Sequence, residues 1–562
     1  MNPHPLDKKR QLGAFYTPPE LSRVLTDWAI RRAHESILEP SFGGCGFFDS
    51  SIERLRELGC ESPERQLYGV DIDQHAFDIL SKKFDKIVEV KKRFIKNDFI
   101  KVQPQDFSVP SFDVVIGNPP YVSMHNMTSV QRSSCEQILR ASPFSASTMG
   151  RNASLWAFFL VHSLSFLNDG GRVAWVLPSS LLHSDYAKRL IEIHKGFFKS
   201  IKIIKLAERF FRGEGAQETS VILLAEGFSK NGVIDCSLNV KSVEDLIMLK
   251  SIISSPDSSS SSDIENYKYD IISKEALDVY KKLCTSDVSA PLGYHADIKI
   301  GMVTGANNLF IINRKTAVEN SLEEHVLKPV IGKFSSLQGI FHNRSRQNKI
   351  HSSGERVLLV CPSELEMLSD SHVSKYLSQL DIESRESNRT FKKRPHWYAP
   401  GYGIDGIIPD AFLSYMIHLS PRMVINQAKV NCTNSVHKVL FRDKNCSANF
   451  KMAISISLLS SFSQLSAELE GRAYSSGVLK IEPSSGRRIQ ILMNEAIMDD
   501  LVLAKRNVDK LLIRGEQSRA TDIVDAILIK QDICTAEEIS ELRKAARQLR
   551  NERYKGVKTL ND

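Results

Sequence analysis

The sequence predicts an α/β fold: a doubly wound, mostly parallel sheet, followed by an α+β region and a helical C-terminal tail. Three observations predict it. Between about residues 13 and 227, apolar strand-like runs alternate with helical periods, the pattern of a parallel sheet covered on both faces. A polar, low-complexity run from Ser254 to Asp263 then interrupts the chain and cannot bury apolar area. From about residue 491 onward, apolar residues recur at three- and four-residue spacings, as in Ile523-Val524, Ile527-Leu528 and Ile539 to Leu542. These breaks divide the chain into 1–250, a serine-rich linker at 251–265, a region at 266–490 and a helical region at 491–562.

In the first region the expected strands are Ser36–Glu39, Gln66–Val70, Phe112–Ile116, Val173–Leu177, Ile201–Leu206 and Ser220–Ala225, with the sheet complete by Ala225. Helical periods cover Pro19–His34 and Leu155–Leu167. Beyond the linker, short β-like runs at Lys299–Val303, Leu309–Ile312, Val357–Val360 and Val439–Phe441 mix with helical stretches and many Gly, Pro, Asn and Ser. With 42% hydrophobic and 25% charged residues, the composition is that of a water-soluble globular chain. No apolar stretch is long enough for a membrane span, and the N-terminus lacks the apolar core of a signal peptide, so a cytoplasmic protein is expected. The nine cysteines form neither a CxxC pair nor a zinc-spaced cluster, so no structural metal is expected. A net charge of +8 permits a polyanionic partner; the basic runs are Arg344 to Lys349 and Arg389 to Arg394.

The motif richest in chemistry is Asn118-Pro119-Pro120-Tyr121, directly after the apolar run Phe112 to Gly117. Open α/β sheets bind ligands at the carboxyl ends of their strands. Two prolines there fix the backbone and leave carbonyl oxygens without ladder partners. An Asn side chain and a proline carbonyl together accept hydrogen bonds from one amino group, which concentrates lone-pair density on its nitrogen. The Tyr offers a flat face to an aromatic base. An ordinary Asn-Pro turn with a packing Tyr is the competing reading, and the buried strand in front of it weighs against that.

The second motif runs from Ile37 through Glu39-Pro40 into Gly43-Gly44-Cys45-Gly46, a strand that ends in an acid and a glycine turn before a helix. It lacks GxGxxG and any following Lys-Ser/Thr, so it suits a nucleotide-like ligand without a di- or triphosphate. The third, Leu67 to Asp73, is a strand ending in two acids. Asp71 is assigned to ribose hydroxyls, and Asp73, preceding a helical run, to the helix cap. The fourth is Asn97-Asp98-Phe99, before the strand at Phe112.

Taken in order and spacing, these motifs resemble the class I S-adenosylmethionine-dependent methyltransferases. More narrowly they resemble the gamma-class N6-adenine DNA methyltransferases of restriction–modification systems, the TaqI type. The resemblance makes 1–250 the catalytic domain and 266–490 the DNA target-recognition domain. It implies that Thr17, within Phe15 to Glu20, contacts the cofactor's methionine moiety, with Glu39, Pro40 and the Gly43–Gly46 turn lining the same pocket. It further implies that Asp71 binds the ribose and that Asp98 and Phe99 hold the cofactor's adenine. Asn118 and the Pro119 carbonyl would then hold the target amino group, with Tyr121 stacking on the flipped base and Phe211 (or its neighbour Phe210) on the opposite face. The glycine turn departs from the family's commoner single-spaced pattern, which leaves its cofactor-contacting glycine open. Stretches similar to the family's recognition region are Lys299–Asn308, Arg394–Tyr398 and Glu470–Gly477.

The implied partner is double-stranded DNA, and a separate cognate restriction endonuclease fits such a system. A nuclease fused in front is not expected, because the cofactor-side motif starts near residue 13. Two rival readings remain. An amino-methyltransferase of RNA or of a protein glutamine would use the same Asn-Pro-Pro-Tyr chemistry, but such enzymes are shorter. A non-catalytic DNA-binding specificity protein would not need intact motifs.

Overall fold

The first unit is built on eight strands: β1 (Ile37–Glu39), β2 (Leu67–Asp71), β3 (Phe94–Lys96), β4 (Phe112–Gly117), β5 (Leu167–Pro178), β6 (Ser200–Leu206), β7 (Ser220–Glu226) and β8 (Ser237–Val243). They form one sheet in the order β3-β2-β1-β4-β5-β7-β6-β8, and only β7 runs against its neighbours. The structure is a computed structural model, and it describes residues 17–83, 92–144, 146–182, 184–206, 220–243, 245–255, 268–400, 406–473 and 477–554. The chain divides into two compact units, Met1–Asp270 with Tyr554–Asp562, and Ile271–Arg553.

Alternation along the strands explains the doubly wound form. Ile37, Val114, Ile116, Ala174 and Val176 join one core with helices α1 (Pro19–Ala29) and α2 (Gly46–Glu57). Leu38, Val115, Val173, Trp175 and Leu177 point the other way, into a second core with α3 (Leu155–Ser163) and α4 (Asp185–Lys195). Successive side chains of a strand face opposite sides, so strands this apolar are buried on both. Helix α1 starts on Pro19, whose fixed φ suits the first turn, and buries Leu21, Val24, Leu25 and Ala29. It is tied to α2 by the Ser22–Ser50 hydroxyl pair at 2.8 Å. In β2, Gly69 is required by its neighbours: a Cβ there would lie 2.7 Å from the Phe42 ring and 2.8 Å from Phe48.

Three expectations for this unit need correction. The helix starting at Pro19 ends at Ala29, not His34, because Ile30 turns to extended backbone. Beyond it Glu35 accepts from the Arg31 N–H at 2.8 Å and pairs with the buried Arg172. The helix starting at Leu155 ends at Ser163, and β5 begins at Leu167, where pairing with Phe112 opposes helix continuation. The sheet is not complete by Ala225: β8 adds an edge strand parallel to β6. Its Ser-Leu-Asn-Val-Lys-Ser-Val alternation buries Leu238, Val240 and Val243 and leaves Lys241 exposed, a half-polar strand suited to a sheet edge.

The second unit is α+β. One sheet orders Ala296–Ile300, Val436–Phe441, Ala411–Ser414, Met423–Asn426 and Phe341–His342. Another orders Ile311–Ile312, Leu358–Val360, Leu327–Ile331 and Asn431–Cys432. The strand expected at Lys299–Val303 stops at Ile300: beyond it come Gly301, where a Cβ would lie 2.1 Å from the Thr433 carbonyl oxygen, and a single parallel bridge from Met302 to Thr433. Helices Glu495–Ile513, Gln517–Lys530 and Ala536–Tyr554 follow. They are bonded into the unit: Asp509 accepts from Ile340 N–H at 2.9 Å, Asp525 from Ser461 N–H at 2.9 Å, and Arg553 meets Glu468 at 3.0 Å. No helix among the described residues is long and apolar enough to cross a membrane.

Candidate active site

The strand order reverses between β1 and β4, so a crevice opens beyond their carboxyl ends. The parallel register puts Leu38 opposite Val115 and Gly117 opposite Trp175, which brings the ends of β1 and β4 together beside β5. Gly117 keeps this junction tight: a Cβ on it would touch Trp175 at 3.5 Å and Glu39 at 3.7 Å.

Asn118 leaves β4 here, and its Nδ2 donates to the Thr17 hydroxyl at 3.3 Å. Pro119 is buried. The Pro120 carbonyl accepts the Val122 N–H at 3.0 Å, and Leu155 N–H binds the Val122 carbonyl at 2.9 Å, so the loop is fixed to the start of α3. No described residue donates to the Pro119 carbonyl. Tyr121 is half-buried in the same loop.

Glu39 closes β1 and is 2% exposed, and its Oε2 has no hydrogen-bond partner among the described residues. Burial first, then the carboxylates of Asp71 and Asp49, push its pKa well above the ordinary range. Asp71, at the end of β2, is held differently. One carboxylate oxygen accepts from Gly43 N–H at 2.9 Å and the other from Asp73 N–H at 2.8 Å. Burial raises its pKa, and the bonds from Asp73 and Gly43 oppose the rise. Asp71 thus also shapes the glycine turn, in which Gly43 (φ 43°) and Cys45 (φ 62°) adopt left-handed backbone before Gly46 opens α2. The Thr17 carbonyl lies 3.9 Å from where a Gly46 Cβ would stand. Asp73 takes the capping position, accepting from His75 N–H at 3.2 Å.

The structure therefore brings Thr17, Glu39, Pro40, Gly43, Gly46, Asp71 and Asn118 to one end of the sheet. Asp98 is buried and caps a short turn by accepting from Ile100 N–H at 3.3 Å, and burial raises its pKa. Phe99 departs from the expectation. It is 1% exposed, with its ring about 5.1 Å from Phe159, His162 and Phe166, so it belongs to the core and presents no face to a ligand. Phe210 and Phe211 lie outside the described residues. One residue went unnoticed: Ile72, between Asp71 and Asp73, is 56% exposed. An apolar side chain just beyond a strand end, between two acids, was the available signal.

The chemistry follows from these groups. A cleft with a buried, partly unsatisfied carboxylate favours a cationic ligand, because an unpaired buried charge is costly. A carbonyl without a donor among the described residues, beside an Asn amide, suits a donor with two protons.

Residues 3–245 match the family model for N-6 DNA methylases, and residues 265–529 match the model for the C-terminal domain of the type II methyltransferase M.Eco57I. The chain is 22% identical over 521 residues to the type II methyltransferase M.AccI of Acinetobacter calcoaceticus, covering 90% of this chain and 89% of that protein. It is 27% identical over 327 residues to M.HindII of Haemophilus influenzae, covering 54% and 56%. Among solved structures, the type IIL restriction–modification enzyme MmeI, determined in complex with DNA, shares the fold with a TM-score of 0.55 at 12% identity, over 98% of this chain and 80% of that one. Residues 3–245, which carry this strand-end site, are thus an N-6 DNA methylase region, and residues 265–529 a type II methyltransferase C-terminal domain, the two parts of an adenine-specific DNA methyltransferase.

Proposed function

We propose that this enzyme acts as a gamma-class methyltransferase, taking the methyl group from S-adenosylmethionine and placing it on N6 of an adenine rotated out of duplex DNA. The observation that carries this reading is that the Pro119 carbonyl, which has no donor among the described residues, lies one strand from the Glu39 carboxylate. S-adenosylmethionine supplies, when bound, a methyl group on a cationic sulfonium, together with an ammonium group. Both charges suit Glu39, whose buried oxygen lacks a partner among the described residues. Thr17 and the Gly43–Gly46 turn line the methionine side, and Asp71 faces the ribose. Asp98 and the exposed Ile72 flank the adenine position.

Duplex adenine is stacked, so the base must leave the helix at a cost of a few kcal/mol. Stacking on Tyr121, and on Phe211 from the opposite side, offsets part of this, at ~1–3 kcal/mol per base. The Asn118 side chain and the Pro119 carbonyl accept from the two amino protons and draw the nitrogen toward a tetrahedral, nucleophilic form. Positioning and electrostatics carry the transfer. Neither acceptor is a base, so the departing proton passes to water.

In this reading residues 266–490 recognise the target sequence, and the enzyme protects cytoplasmic DNA from a separate cognate endonuclease. The test is methylation of plasmid DNA with labelled cofactor, followed by base-resolved mapping. Label on adenine N6 within one recurring sequence is expected. Label on cytosine, RNA or protein, with none on adenine, overturns the proposal.

A further inference from the structure

We infer that the turn Phe391–Arg394 is a clamp for the phosphate backbone of duplex DNA, with Lys392 and Lys393 as the contacting groups and Arg394 as a positioning residue. The inference rests on the reading of residues 266–490 as the DNA-recognition region.

Three observations within the second unit carry it. First, from Ser387 to Pro400 the chain holds Arg389, Lys392, Lys393, Arg394 and His396 and no acidic residue. Lys392 and Lys393 are exposed and form no ion pair among the described residues. Second, the turn that presents them is anchored on both sides. Phe391 is buried, its ring centroid 6.1 Å from Phe310 and 5.7 Å from Trp397, and Arg385 lies 4.5 Å over the Trp397 ring. Arg394 donates to the Thr304 carbonyl at 2.9 Å and to the Val303 carbonyl, and Asn388 donates to the Gly305 carbonyl at 3.0 Å. Third, the loop that receives these bonds is itself fixed. Gly305 (φ +82°) lies so close to Phe391 that a Cβ would approach its ring to 2.6 Å. Met302 N–H bonds to the Cys432 carbonyl at 2.9 Å, and Asn434 N–H returns to the Met302 carbonyl at 2.9 Å.

Ordinary exposed lysines are free to wander, and ordering them on a partner costs side-chain entropy. Here two adjacent lysines rise from a backbone pinned by an aromatic plug and an arginine fork. The planar guanidinium of Arg394 suits two carbonyls at once, while the compact ammonium groups of its neighbours suit phosphates. Such contacts fix the register of a protein on the duplex without reading bases.

The test uses the full-length chain with Lys392→Gln/Lys393→Gln and, as a charge-matched control, Lys274→Gln/Lys281→Gln on the exposed side of helix Lys274–Cys284. Binding to a duplex bearing the mapped methylation site and to a scrambled duplex is titrated between about 50 and 200 mM salt. The clamp variant is expected to weaken both duplexes by the same factor and to flatten the slope of log affinity against log salt by about 1.8, or ~0.9 per phosphate lost. Melting temperature, cofactor affinity and turnover at saturating DNA should be unchanged. An unchanged slope, a loss confined to the target duplex, or an equal loss in the control overturns the clamp. Wild-type enzyme that methylates DNA alongside any of those results leaves the functional reading intact; wild-type enzyme that neither binds nor methylates DNA overturns both.

Discussion

The carboxylates buried at the strand ends of the first unit are held differently from those buried in the second. In the second unit each one is provided for. Glu468 meets Arg553 at 3.0 Å and Arg550 at 3.5 Å, Asp525 accepts from both groups of Ser461 and from Arg543, and Asp509 from Ile340 and Arg346. In the first unit Glu35 is likewise paired, with Arg172, but at the strand ends Glu39 is left with a buried oxygen lacking a partner among the described residues, and Asp71 is bonded to backbone N–H groups and forms no ion pair with a described residue. Satisfied buried charges rigidify, while unsatisfied ones are retained where a ligand completes them. One unit is stabilised as a platform for exposed loops. The other holds an incomplete site at its strand ends.

The largest effect expected from this contrast is on the platform. Glu468→Ala leaves Arg553 buried without its carboxylate, and removing one partner of such a pair costs about 3–5 kcal/mol. Calorimetric melting should show the loss in the second unit, with cofactor affinity of the surviving folded protein unchanged. A melting curve like wild type would place Glu468 outside the unit's stability. Next is Asn118→Ala, which removes one of two acceptors from the amino group. Turnover should fall by about a hundredfold or more, while cofactor titration stays near wild type; near-normal turnover removes Asn118 from the mechanism.

Asp71→Ala should weaken cofactor binding by more than about tenfold, since hydrogen bonds to a charged group contribute ~1.5–3 kcal/mol. The structure sharpens this expectation, because the same change releases the Gly43 and Asp73 N–H groups. Asp71→Asn, which keeps an acceptor, should lose less, and equal losses would assign the whole effect to the turn. The smallest effect has the opposite sign. Glu39 has a pKa above its unfolded value, so the stability of the ligand-free protein is greatest below the ordinary carboxylate range and falls as pH rises through the raised value. Glu39→Gln should therefore melt higher than wild type at pH about 8, by about 2–4 °C for each kcal/mol regained. The gain should shrink in mild acid, and cofactor affinity should fall. Equal melting across the pH series would mean that the buried carboxylate imposes no cost.

What the sequence made legible were features whose causes are local. The strands ending at Glu39, Asp71 and Gly117 are short apolar runs punctuated by acids, glycine and proline, and they mark the crevice directly. The edge strand Ser237–Val243 was not legible, because half-polar alternation resembles a loop until a partner strand is known. Phe99 follows an Asp that caps a turn, and nothing local distinguishes a ring facing the cleft from one packed on Phe159 and Phe166. In the second unit many strands are two to five residues long and pair across large sequence separations, as Ala296–Ile300 does with Val436–Phe441. Patterning cannot register such pairings.

The anchored loop at Gly301–Asn308 is bonded to residues 388–394 on one side and to residues 432–436 on the other. Three pieces of chain, drawn from between residues 301 and 436, thus form a single surface. Recombination between relatives has to inherit them together. A crossover falling between residues 310 and 385 would join a loop from one parent to a basic turn from the other, breaking the bonds from Arg394 and Asn388 that fix both. Under the proposed recognition role, exchanging the whole block, or changing the exposed side chain of Val303, varies this surface while leaving the glycines and their anchors in place.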